Sequence, residues 1–78
     1  MAVNAYVLIT VAVGKNKDVL SAIQGVAGVK QAHACWGVHD FIAFVEAADL
    51  KALSDLVLTN IHAIDGVERT DTRIVAEL

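Results

Sequence analysis

The tetrapeptide Gly37-Val38-His39-Asp40, together with His33 and Cys35 just before it, gathers two of the three histidines of this chain, its one cysteine and an aspartate. On a strand His33 and Cys35 point to the same face, and His39 follows just past a turn. That is a nitrogen and sulfur set of the kind that transition metals take. A fourth partner, a paired-cysteine motif and a nearby acidic cluster are all missing from the sequence, so no metal is expected. His39 beside Asp40 could instead serve as a base and its orienting carboxylate. Adjacent residues on an extended chain point in opposite directions, so the turn itself would have to bring them together. No activated nucleophile, phosphate loop or nucleotide fingerprint accompanies the pair. No cofactor is expected, and catalysis is the second reading.

The same tetrapeptide reads structurally. It separates the apolar runs Ala32 to Trp36 and Phe41 to Val45, and Gly and Asp at such a point favour a tight hairpin. Two further stretches echo each other: Ile23-Gln24-Gly25-Val26-Ala27-Gly28-Val29-Lys30 and Ile61-His62-Ala63-Ile64-Asp65-Gly66-Val67-Glu68. Each reads as the last turn of a helix, a glycine that stops it, and a strand that follows. With an apolar run before each helix, Ala5 to Val13 and Phe41 to Val45, the chain is strand–helix–strand twice over. The expected fold is α+β, a ferredoxin-like split βαβ (βαββαβ) with a four-stranded antiparallel sheet and two helices on one face, in one domain over residues 1–78.

The helices are amphipathic. Val19, Leu20, Ile23 and Val26 form the stripe of the first; Leu50, Leu53, Val57, Ile61 and Ile64 form that of the second, with Asp49 as its N-cap. His62, at the end of the second helix, suits the dipole there without further function. The first and third strands are different, because both of their alternating residue sets are apolar: Tyr6, Leu8 and Ala12 against Ala5, Val7, Ile9, Val11 and Val13, and the whole of Phe41 to Val45. Strands buried on both sides read this way. Two helices cover one face, so a second copy of the sheet is the simplest cover for the other.

Composition agrees. Of the 78 residues 56% are hydrophobic and none is proline, more apolar than a small monomer needs. No run is long enough to span a membrane, and no basic region precedes the first apolar stretch as in a signal peptide. A single cysteine, Cys35 in an apolar strand, fits a reducing cytoplasm. The net charge of −3, with six scattered basic residues, argues against a nucleic-acid surface. Arg69, Asp71 and Arg73 alternate as a solvated or interfacial salt-bridge row, and Trp36 reads as a packing or interface residue.

Taken in order, these features resemble the effector-binding (RAM) domain of the leucine-responsive and asparagine-responsive, or feast/famine, regulators. The matching residues are Ala5-Tyr6-Val7-Leu8-Ile9, the Gly37-x-x-Asp40 hairpin leading into Phe41-Ile42-Ala43, and Val45-Glu46. They continue through Leu53-x-x-Leu56-Val57, Ile64-x-Gly66-Val67, and Thr70-x-Thr72-x-Ile74-Val75. His39 stands where family members commonly carry an aromatic residue. Full-length regulators add an N-terminal helix-turn-helix domain; this chain opens directly on its first strand and resembles the stand-alone form, so direct DNA binding is not expected.

The resemblance implies an amino-acid sensor. Dimers would pair sheet to sheet and assemble into larger rings, with a free amino acid held between dimers and transcription modulated through assembly with full-length regulators. Carried over residue by residue, the ligand site comprises Gly37, Val38, His39 and Asp40 with Thr70 and Thr72. A zwitterion needs an anion for its ammonium, which Asp40 offers. It needs N–H or hydroxyl donors for its carboxylate, which turn amides and the threonines offer. Asp40 is expected to serve the ligand without being needed for the fold. Two rivals share the fold: cofactor-independent dimeric enzymes using His39 and Asp40, and amino-acid-binding domains of the ACT type.

Overall fold

In the computed structural model, which describes residues 2–78, β1 (Val3–Val11), α1 (Asn16–Gln24), β2 (Val29–Ala34), β3 (Phe41–Ala47), α2 (Leu50–Asp55) and β4 (Val67–Ile74) follow one another as the sequence pattern requires. The sheet is antiparallel in the order β2-β3-β1-β4, so the two strands without polar faces are the central pair. β1 starts and ends two residues earlier than the apolar run: Val13 lies beyond it, fully exposed, ahead of the Gly14 turn.

Register assigns every side chain to a face. Ala5, Val7 and Ile9 lie opposite Val45, Ala43 and Phe41, and all six are buried under the helices with Val19, Ile23, Leu53, Leu56, Val57 and Ile61. The other set, Tyr6 and Leu8 opposite Phe44 and Ile42, forms the middle of a face that no helix covers. Tyr6 and Phe44 touch there at a ring-centroid distance of 5.0 Å, and Tyr6 stays 45% exposed. Thr10, Glu46, His33 and Gln31 surround this apolar centre, with Arg69, Asp71 and Arg73 along β4.

The second helix departs from the regular helix that its apolar spacing predicts. Asp49 caps it as expected, its Oδ1 accepting the Ala52 N–H at 2.8 Å. After Asp55 the backbone widens into a π-helical segment, Leu56–Ile61, closed by the His62 N–H donating to the Val57 carbonyl at 2.7 Å. Leu56, Val57 and Ile61 of this segment are all in the core. Leu50, at the far end of the stripe, is left 61% exposed. No described helix is long and apolar enough to cross a membrane.

The two glycines that end the helical units also receive side chains. At Gly28, with φ of +96°, a Cβ would stand 2.6 Å from Leu56 Cδ1 and 3.0 Å from the Glu46 carbonyl oxygen. At Gly66, with φ of +103°, it would stand 2.9 Å from both Lys15 Cβ and Val19 Cγ2. Each glycine thus combines a left-handed turn with a notch for the helix of the other repeat. Gly28→Ala or Gly66→Ala should lower unfolding free energy by at least about 1–3 kcal/mol, from backbone strain plus displaced packing. Gly25→Ala, with a right-handed backbone and its nearest neighbour at 3.6 Å, should be neutral or slightly stabilising in the same urea titration.

Candidate functional site

The β2–β3 hairpin leaves β2 at Ala34 and enters β3 at Phe41, closed by the Cys35 N–H donating to the Asp40 carbonyl at 2.8 Å. Gly37 sits at φ +133°, a conformation that a side chain would resist, which is why glycine is needed in this turn. Among the described residues, the amides of Gly37, Val38 and His39 donate to no group of the chain. Val38 and Trp36 are almost wholly exposed, so the tryptophan packs on nothing within its own chain. Cys35 lies just past β2 and is an exposed free thiol, not a residue inside an apolar strand.

His39 and Asp40 go to different partners. His39 Nδ1 lies 3.4 Å from the Thr10 hydroxyl, at the end of the open sheet face. The Asp40 carboxylate reaches across to β1, where its Oδ2 accepts the Val11 N–H at 2.8 Å, and its own N–H donates to the Ile9 carbonyl at 2.9 Å. Among the described residues, none donates a hydrogen bond to Oδ1. One Asp40 oxygen is thus engaged in a contact with β1. On this contact Asp40 is not a ligand candidate alone, since it also holds the last N–H of β1, where the β1–β4 register shifts. Nor do His39 and Asp40 form the base-and-carboxylate pair that an enzyme of this fold would use.

The two threonines lie elsewhere. Thr70 and Thr72 stand opposite Ile9 and Val7 on β1, which places them on the helix-covered side of the sheet. Thr72 lines a shallow groove of about 270 Å³ with Leu50, Leu53, Ser54, Val57, Leu58 and Ile74. One chain thus holds the hairpin and the threonines apart. On the open face of β4 Arg73 grips Asp71 through two parallel bonds, Nε to Oδ1 at 3.1 Å and Nη2 to Oδ2 at 3.0 Å. That fork holds the Asp71 carboxyl below its ordinary range, helped by the charges of Arg73 and His39, and raises the Arg73 guanidinium further.

Beside the hairpin lies a recess of about 360 Å³ lined by Asn16, Ala34, Cys35, Trp36, Gly37 and Asp40. Asn16 and Thr10 were not legible as neighbours of the hairpin. Both come from the β1–α1 corner, and only the antiparallel register brings that corner to β3. No described group of His, Cys, Asp and Glu side chains is gathered as a metal site.

Asp40→Ala should lower unfolding free energy by about 1–3 kcal/mol by leaving the Val11 N–H without its acceptor. Asp40→Asn keeps a carbonyl oxygen for that bond and should cost well under half as much in the same urea titration.

Comparison with known proteins gives this geometry a context. TTHA0845 from Thermus thermophilus superposes with a TM-score of 0.92 and is 29% identical, over 97% of this chain and 95% of that one. Two further structures, at 21% and 19% identity, share the fold: AsnC of E. coli, TM-score 0.91, over 97% of this chain and 52% of AsnC, and the transcriptional regulator NMB0573 from Neisseria meningitidis in complex with L-Met, TM-score 0.87, over 96% of this chain and 50% of the regulator. The chain thus spans about half the length of each of these two regulators. A comparison with the sequences of curated proteins gave no match. The family model of the Lrp/AsnC ligand binding domain matches residues 4–77, and on that match the chain belongs to the Lrp/AsnC ligand-binding domain family.

Proposed function

We propose that this chain is a stand-alone regulatory module that binds a free amino acid between copies of itself. The observation that carries the reading is the family match over residues 4–77. The hairpin supplies the physical case. Asp40 has one carboxylate oxygen to offer an α-ammonium, and the amides of Gly37, Val38 and His39 are free to meet an α-carboxylate. The L-Met bound to the Neisseria regulator is a ligand of the same class.

The placement of Thr70 and Thr72 favours a site built from two chains. They lie on the other side of the sheet from the His39–Thr10 contact, so the hydroxyls that join the hairpin come from a partner subunit. The uncovered face supports association of a further kind. Its apolar centre of Tyr6, Leu8, Ile42 and Phe44 within a polar rim has the anatomy of a protein interface, and a second copy of the same sheet fits it. Dimers formed in this way would assemble into a ring and modulate transcription by joining full-length regulators of the family. With a net charge of −3, the chain does not itself bind duplex DNA.

A thermal-shift screen of the common amino acids tests the binding reading. A ligand at one hundred times its dissociation constant should add about 2.7 kcal/mol of stability, a clear rise in Tm. Asp40→Asn should remove that rise while keeping most of the parent stability, and no response to any amino acid would refute the reading. Sedimentation tests the interface: the parent should run as a dimer or larger at micromolar concentration. Leu8→Glu, which puts a charge on the open face and not in the core, should shift it toward monomer with its far-UV spectrum retained.

A further inference from the structure

Of the three histidines in the chain, two border the sheet face that no helix covers. His33 stands opposite Ile42 on β3, which in turn stands opposite Leu8 on β1, so its imidazole lies on the side of the apolar centre. His39 reaches the same face from the hairpin. Its Nδ1 lies 3.4 Å from the Thr10 hydroxyl oxygen, and its charge acts on the Asp71 carboxyl of β4. The third, His62, follows the π-helical segment on the helix-covered side.

The remaining charges around the two imidazoles are balanced. Glu46, on this face opposite Asn4, pairs with Lys30 of β2 at 3.9 Å. Asp71 is held by Arg73. Arg69, opposite Thr10, is matched by Asp40 at the hairpin, whose carboxylate accepts from the Val11 N–H. Three cations thus meet three anions, and the sign of the face is left to the histidines. Imidazole is the side chain whose charge ordinarily changes between about pH 5 and 8. With both rings neutral the face carries no net charge; with both protonated it is cationic.

We propose that His33 and His39 make association across this face proton-sensitive: the face closes on a second copy while both imidazoles are neutral and opens as they take up protons. The proposal rests on the reading that a second copy of the sheet covers the face, and adds what regulates that cover. Two copies meeting about a two-fold axis present the same net charge to each other. Neutral faces meet without repulsion, whereas cationic ones repel, and each imidazolium also loses water on closing. Closing therefore disfavours the protonated form, so the associated state binds fewer protons than the separated chains. Association is strongest at neutral and higher pH and weakens as pH falls through the histidine range. Asp71, held low by Arg73, keeps its charge throughout that range and does not give this response.

The rate at which fluorescently labelled and unlabelled copies exchange partners tests this at about pH 8 and about pH 5.5. Three proteins are compared: the parent, the double variant His33→Gln with His39→Gln, and His62→Gln. Sedimentation at the higher pH first establishes that the parent is associated. A monomer there would overturn the reading on which the proposal rests, and the proposal with it. In an associated parent, exchange should be at least about tenfold faster at the lower pH. His62→Gln, altered away from the face, should keep that ratio. The double variant should exchange at the lower pH as slowly as the parent does at the higher, with far-UV spectra confirming the fold in every sample. Equal rates at the two pH values in an associated parent would overturn the proposal alone. A ratio that survives in the double variant, or is lost in His62→Gln, would overturn its assignment to these two histidines.

Discussion

Everything in this molecule depends on the burial of one face of the β1–β3 pair. Ala5, Val7 and Ile9 against Phe41, Ala43 and Val45 are sealed beneath α1 and the second helix, and that seal fixes the register. A slip of one residue would put Tyr6 and Phe44 under the helices and Val7 in water. The fixed register carries Asp40 to the end of β1, His39 to Thr10, and Thr70 and Thr72 to the far side of the sheet. The geometry of the candidate site is thus a consequence of packing some distance away.

The same strands carry the case for the proposed association. A sheet with helices on one side leaves its other side to water unless something covers it, and here that side is apolar at its centre. The tilted Tyr6–Phe44 contact leaves Tyr6 nearly half exposed, which a polar substitution would serve better in a monomer. The rim is charged and, along β4, internally paired by the Asp71–Arg73 fork. An apolar centre with a polar margin directs association toward a defined partner and away from general stickiness.

Much of this was legible in the sequence. The duplicated Gly-Val closures gave the topology, the two-faced apolar strands gave the central pair, and Asp49 marked the start of α2. The π-helical segment was not legible, because Leu53, Val57 and Ile61 satisfy ordinary helical spacing. In the widened segment Leu56 sits against the Gly28 notch while Val57 and Ile61 are buried in the core. At the hairpin, Gly37 and Asp40 were readable as a turn, yet the bond from Val11 to Asp40 spans 29 residues and follows from strand pairing alone. The faces of Thr70 and Thr72 depended likewise on register, which is why residues implied as one site prove to be separated within a chain.

The central claim, that an amino acid is held jointly by Asp40 of one chain and the threonines of another, has a direct test in complementation. Asp40→Asn and Thr72→Val copies are each titrated with the amino acid that stabilises the parent, and then titrated again after being unfolded together and refolded as a mixture. The account predicts that neither variant binds alone and that the mixture regains binding, at sites pairing an intact Asp40 with an intact Thr72. A mixture as inactive as its components would contradict the shared site, as would either variant alone binding with the parent's affinity.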